Sequence, residues 1–205
     1  MEVAAEELRS NSAVEGAHLT GGTVPDGLED LELIGCWLTA VAFTGTSARR
    51  ITLVDCVLEE CELSGATWES ASLRGIAFVR CRMSGFTAPE LRADHVTWDG
   101  CRLDGAWLRM AILDHCRFES CDLTESDLYA TRVSRSALLR CTLDRSEVSA
   151  AALTGVALHG STIDGVTGRP ALEGVTISPD QLVAFALPVL GAVGIRMTEE
   201  DQPPT

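Results

Sequence analysis

The stretch CELSGATWESASLRGIAFVRCRMSG, Cys61 to Gly85, divides into five pentads, each centred on a large apolar residue: Leu63, Trp68, Leu73, Phe78 and Met83. Two residues before each centre stands a second apolar residue, generally smaller: Cys61, Ala66, Ala71, Ile76 and Cys81. The other three positions are mainly Ser, Thr, Glu, Arg and Gly. The pattern extends in both directions, and every fifth residue from Leu33 to Ile163 is apolar over 27 consecutive positions with no insertion. A helix of period 3.6 or a strand of period 2 cannot keep every fifth residue inside over such a length. A square coil can. If each pentad forms one side, four make a turn of 20 residues, both apolar positions point inward, and turns stack at the strand spacing of about 4.8 Å.

With this pattern the sequence resembles the pentapeptide-repeat family, whose consensus is A(D/N)LXX, although the Asp or Asn before the centre is often replaced here. The resemblance covers residues 31–167 and implies an all-β fold, a right-handed quadrilateral β-helix or pentapeptide-repeat solenoid. Residues 20 apart then touch, so Trp68 is expected between Ala48 and Ala88, a large side chain flanked by small ones. The volumes exchange places at Phe86 and Ala88 and again at Leu91 and Ala93. Pro89 nearby cannot donate a ladder hydrogen bond, so a local bend or irregular corner is expected there, with register recovered by Trp98. A filled axis leaves no room for an active-site cavity.

The chain has 205 residues, 46% of them hydrophobic, a formal net charge of -14, and 16 basic residues that are all Arg. That balance argues against direct nucleic-acid binding through phosphates and favours solubility or a basic partner. Its distribution qualifies the argument, because between Leu31 and Thr167 there are 18 acids against 13 Arg. The acidic N-terminus and the longest apolar run, Val183 to Ile195 with Pro188 inside it, fit neither a signal peptide nor a membrane span. A cytoplasmic location follows as the expectation. In that reducing compartment the eight cysteines need not form disulfides. No C-x-x-C pair occurs, and each Cys takes the small inward position of its pentad, which predicts buried thiols packed as small hydrophobes. His95 and His115 are predicted to be neighbours on adjacent turns, without an evident third metal ligand. No catalytic motif, cofactor site or metal site is expected.

Residues 1–30 read as a disordered acidic leader followed by an N-terminal cap near Val24 to Leu31, and 198–205 as a disordered tail. Residues 168–197 carry a capping or dimerisation segment. There Ser178 is the expected N-cap, with Pro179 at the first helical position and Gln181 completing a capping box. Leu182, Val183, Phe185, Ala186, Val189 and Leu190 follow as an apolar helix, which either plugs the coil or joins two copies. The segment DQLVAFA is similar to the C-terminal segment of the MfpA-type fluoroquinolone-resistance group of the family. That resemblance implies a homodimeric rod that mimics duplex DNA and binds DNA gyrase. Asp99, Asp104, Asp114, Glu119, Asp122, Glu125 and Asp127 are the candidate partner-binding residues. The alternatives are a generic protein-interaction scaffold and a thiol-based sensor.

Overall fold

The computed structural model describes residues 2–192. The chain forms the expected solenoid of stacked square turns, with a short C-terminal helix. Each pentad makes one side, and the residue that ends it turns the corner. Those corner residues adopt left-handed φ values of 49–58° at non-glycine positions from Asp30 through Ala150. A conformation that L-residues otherwise avoid thus recurs once per side, held in place by N–H donation to the following turn, as in Asp55 N–H to Arg74 O at 2.8 Å.

The four faces differ. The first face, centred on Leu33, Leu53, Leu73 and their successors, is an eight-stranded parallel sheet from Ser12–Glu15 to Ala152–Thr154. The second, centred on Leu38, Leu58 and Phe78, is a seven-stranded parallel sheet. The third has only isolated bridges, such as Ala42 to Glu62 and Glu62 to Arg82, because its central carbonyls close tight turns, as in Ala66 N–H to Leu63 O at 3.0 Å. The fourth starts as a three-stranded sheet, Leu28–Glu29, Ser47–Arg49 and Thr67–Glu69, and becomes turn-like from Thr87 onward.

Pro89 marks that change. It sits second in the turn from Ala88 to Leu91, the position where its fixed φ fits, and Glu90 follows at φ 57°. The expected loss of register does not occur. Thr67 pairs with Thr87 and Ser72 with Arg92, so the spacing of 20 runs straight through. Proline here converts a strand side into a turn side without bending the ladder out of step.

Inside, Trp68 packs edge-on against Phe43 and Phe86, with ring centroids 5.6 and 5.3 Å away. The exchange of volumes at Phe86 and Ala88 is what supplies that second contact. On the second face Phe78, Trp98 and Phe118 form a stack with centroids 5.5 and 4.2 Å apart. Beyond Phe118 the central residues are Leu, Val and Ile only, and the axis is incompletely filled. An apolar cavity of about 80 Å³ lies there, lined by residues including Leu123, Leu128, Val133, Leu143 and Phe185. The axis is less completely filled here because branched aliphatic side chains are too short to meet across the square. The void is too small and too apolar to be an active site.

Both ends carry more coil than the periodicity suggested. Residues 2–30 do not form the disordered leader expected. Ser12–Glu15 pairs with Leu31–Ile34 and His18–Thr20 with Trp37–Thr39, at an offset of 19 rather than 20. One pentad, between Val24 and Leu28, has lost a residue, which hid this turn from a strict count of five. Asp26 fills the gap, accepting hydrogen bonds from the Ser47 N–H at 2.7 Å and its hydroxyl at 2.9 Å; the first of these holds the Asp26 carboxyl below its ordinary pKa. Buried Ala5 and Leu8 cover the end. A second shortened repeat follows Thr167, and Ala152 pairs with Ala171 and Ala157 with Thr176, again 19 apart. Gly168 permits it: at φ 100° its Cα lies so close to Ser149 that a Cβ would fall 2.4 Å from the Ser149 nitrogen.

The C-terminal cap follows the sequence closely. Gln181 Oε1 accepts the Ser178 N–H at 2.7 Å, and its Nε2 donates to the last coil carbonyls, Leu158 O at 2.8 Å and Ser161 O at 2.7 Å. The helix α1, Leu182–Ala192, turns Phe185 into the open end of the coil, where it is buried. Of the other dimerisation candidates, Leu182, Val183 and Ala186 are exposed and Leu190 is half-buried. The Val189 side chain and the tail 198–205 lie outside the described residues.

Candidate protein-binding faces

The outward positions divide by face, so the seven candidate acids do not form one patch. Asp114 lies on the first face, Asp99 and Glu119 on the second, Asp104, Asp122 and Glu125 on the third, and Asp127 on the fourth. Several are neutralised by arginines from an adjacent turn. Arg135 and Arg140 donate to Asp114 and Glu119, Arg145 Nε lies 2.9 Å from Glu125, and Arg109 Nε lies 2.7 Å from Asp127. The Arg135 hydrogen bond holds the Asp114 carboxyl below its usual range, and Arg117 followed by Arg140 does the same to Glu119. Similar ladders run elsewhere, from Arg50 to Asp30 and from Arg80 to Glu59 and Glu60. Each is exposed and individually weak, but together they cancel most of the coil's charge.

The third face is compensated only in part: Glu62 and Glu125 meet Arg82 and Arg145, but other acids there do not find an arginine so close. Asp122, Asp144 and Asp164 have no ion pair among the described residues, and Asp104 has only Arg102 at 3.7 Å. Asp122 accepts from the Thr124 N–H and hydroxyl, and Asp144 from the Asp164 N–H. Asp104, Asp144 and Asp164 share one outward column, spaced by multiples of 20 residues. Asp144 and Asp164 were absent from the expected set. Their column could have been found by writing the sequence in rows of 20.

Around the next corner, the fourth face carries an exposed apolar group. Trp107, Met110 and Tyr129 are 50%, 48% and 41% exposed, and the Arg109 guanidinium lies 5.2 Å from both aromatic ring centres. Trp, Tyr and Arg are the residues that dominate binding energy where protein surfaces meet. Asp127 fixes Arg109 from below and Glu147 extends the same column.

The cysteines match their expected place. All eight are buried and free. Burial raises the thiol of Cys56 to about 11 and that of Cys116 to about 12. In the column from Cys61 to Cys141, hydrogen bonding to neighbouring thiols and then burial push Cys61, Cys101 and Cys141 upward as well. Most thiols also have a use that sequence reasoning missed. Cys61, Cys81, Cys101 and Cys121 each donate to the central carbonyl 23 residues earlier, from Leu38 O to Trp98 O, at 3.2–3.5 Å. The alternate thiols Cys81 and Cys121 are shifted downward by hydrogen bonds from those same neighbours, but with every thiol buried none is presented to an electrophile, and they are poor nucleophiles.

A family model described as a pentapeptide repeat region matches residues 91–167, and the coil containing that segment is a β-solenoid of stacked pentads. Among solved structures it is similar to trypsin-treated QnrB1, a plasmid-mediated fluoroquinolone resistance protein, at 20% identity and TM-score 0.43, covering 96% of this chain and 95% of that one. It is similar too to HetL, a pentapeptide repeat protein involved in heterocyst differentiation regulation from the cyanobacterium Nostoc sp. strain PCC 7120, at 18% identity and TM-score 0.38, covering 85% and 86%. Rfr23 from the cyanobacterium Cyanothece 51142 follows at 13% identity and TM-score 0.25, covering 82% and 88%. No curated protein matches. Among the described residues no helix is long and apolar enough to cross a membrane.

Proposed function

We propose that the chain is a non-enzymatic, cytoplasmic binding rod whose third face, with the adjoining corner of the fourth, docks into a basic groove of a partner protein. One observation carries this reading: the carboxylates of Asp122, Asp144 and Asp164 have no ion pair among the described residues, and Asp104 beside them has only Arg102 at 3.7 Å, on a coil whose arginines meet many of its other acids. Beside them, Trp107, Met110 and Tyr129 supply the apolar anchor that acids alone would lack. Turns about 4.8 Å apart set Asp104, Asp144 and Asp164 in one column, two turns and then one turn apart, with Asp122 beside it, an arrangement suited to a surface built for a polyanion. DNA gyrase is the partner to test first, as the resemblance of the C-terminal segment implies. Exposed Leu182 and Val183 support the companion proposal of a homodimer through α1, whereas Phe185 is committed to plugging its own coil.

The test is a supercoiling assay with purified gyrase and full-length protein. Inhibition or quinolone protection, weakened by at least about tenfold in Trp107→Ala or in Asp122→Asn with Asp144→Asn, supports the gyrase reading. No effect at micromolar protein removes gyrase. Sedimentation of Val183→Glu against wild type tests the dimer, which requires a wild-type dimer that this substitution disrupts.

A further inference from the structure

His95 and His115 occupy the same left-handed corner on successive turns, at φ 54° and 50°. Their rings stack with centroids 4.5 Å apart and planes 17° from parallel. Asp94 closes the group, its Oδ1 lying 2.9 Å from Nδ1 of His95 and 3.5 Å from Nδ1 of His115. Asp114 Oδ2 is 3.4 Å from that same His115 nitrogen. One donor atom from each of Asp94, His95 and His115 lies within 4.8 Å of the others, and the three line a shallow depression on the first face. The third ligand that sequence spacing could not supply is the residue before the first histidine.

We propose that Asp94, His95 and His115 bind one divalent transition-metal ion, of the zinc, nickel or copper type, as a clip across two adjacent turns. Two imidazoles with one carboxylate suit these metals, whereas calcium and magnesium take oxygen donors. Bonds of about 2.0–2.1 Å in tetrahedral geometry set donors about 3.3 Å apart, and the two Asp94 distances already bracket that value. The backbone beneath is fixed, since His95 N–H donates to Asp114 O at 3.1 Å and His115 N–H to Ser134 O at 3.2 Å. Only side-chain rotations are needed to bring the second imidazole in. Asp114 is drawn toward Arg135 and Ser134, so it balances charge nearby while the remaining coordination positions fall to water. The eight thiols are buried and do not compete in the folded protein.

Calorimetric titration of the folded full chain with zinc or nickel ions, after chelator treatment and with circular dichroism recorded alongside, tests the site. One ion per chain is expected, together with a rise in melting temperature. His95→Asn and His115→Asn should each weaken binding by at least about tenfold, the loss usual for disturbing even an outer partner of a metal site. Asn tolerates the left-handed corner, so both variants keep the fold. His18→Asn, on the same exposed surface type but without a carboxylate partner, should bind as wild type. Absence of binding at millimolar metal, or binding unchanged in the His95→Asn, His115→Asn double variant, overturns the proposal.

Discussion

The two halves of the coil follow one backbone plan but fill it differently. Up to Phe118 the axis holds aromatic rings, and its small inward positions are mostly Cys and Ala. Beyond it the central positions are aliphatic and a void opens, while buried Ser126, Thr131, Ser136, Ser146 and Ser161 occupy five of the nine small positions from Cys121 to Ser161. The hydroxyls replace the thiols in kind: Thr131, Ser146 and Ser161 donate at 2.8–2.9 Å to Leu108 O, Leu123 O and Leu138 O, each 23 residues earlier. The first half is thus held more by close packing and the second more by buried hydrogen bonds. A repeat can keep its geometry while changing what stabilises it.

The largest effect that would test this contrast is expected in the aromatic half. Trp98→Ala removes the middle of the Phe78, Trp98, Phe118 stack and should cost about 3–5 kcal/mol by denaturant unfolding. Trp98→Phe should cost far less, because the indole N–H of Trp98 is buried without a partner and its loss offsets part of the lost contact. A Trp98→Ala cost under about 1 kcal/mol would contradict the packing account.

In the second half the sensitive groups are polar. Ser146→Ala breaks the bond to Leu123 O and leaves the Ser126 hydroxyl, 3.1 Å from Ser146 Oγ, without its side-chain partner. A cost of about 1–3 kcal/mol is expected. Cys101→Ala, losing only a weak thiol donor, should cost less than Ser146→Ala. A thiol reagent should label none of the eight cysteines before unfolding. Rapid labelling of the native protein would revive the thiol-sensor reading.

The repeat was legible because each pentad carries its own apolar signal, and Trp68, Phe86 and Ala88 pack as their volumes require. What the sequence hid lay where the period breaks. At Asp26 and Gly168 one residue is missing, yet the backbone stays paired because a carboxylate or a glycine absorbs the change, and no hydrophobic count registers that. The C-terminal cap at Ser178 to Gln181 was readable because capping is a local code. The acidic patch was less so. An outward carboxylate reads the same whether or not an arginine 20 or 21 residues away neutralises it, and Asp114 and Asp144 can be told apart only once the arginine rotamers are known.

A smaller test concerns volume. Val133 lines the cavity, and Val133→Leu adds one methylene to empty space, which should stabilise the protein by about 0.5–1 kcal/mol. Val96 lies fully buried in the aromatic half, and there the same step should cost about 1–3 kcal/mol. Equal effects at the two sites would mean that the halves are packed alike.

The smallest effect should come from acid titration of the cross-turn pairs. Asp30, Asp114 and Glu119 are all held below their ordinary pKa, chiefly by hydrogen bonds from Arg50, Arg135 and Arg117 respectively. A carboxylate whose folded pKa is depressed contributes stability that is complete above its unfolded value, near about 4, and lost as pH falls through the folded value. Melting temperature should therefore be level near neutrality and decline only in acid below that point. Because the pairs are exposed, solvent and salt screen them and the decline should be shallow. Asp114→Asn with Glu119→Gln should flatten the curve further, without moving the neutral melting temperature by more than a little. A steep fall that survives both substitutions would place the acid-sensitive groups elsewhere, with Asp26 and its bond to Ser47 at the shortened N-terminal repeat as the first position to examine.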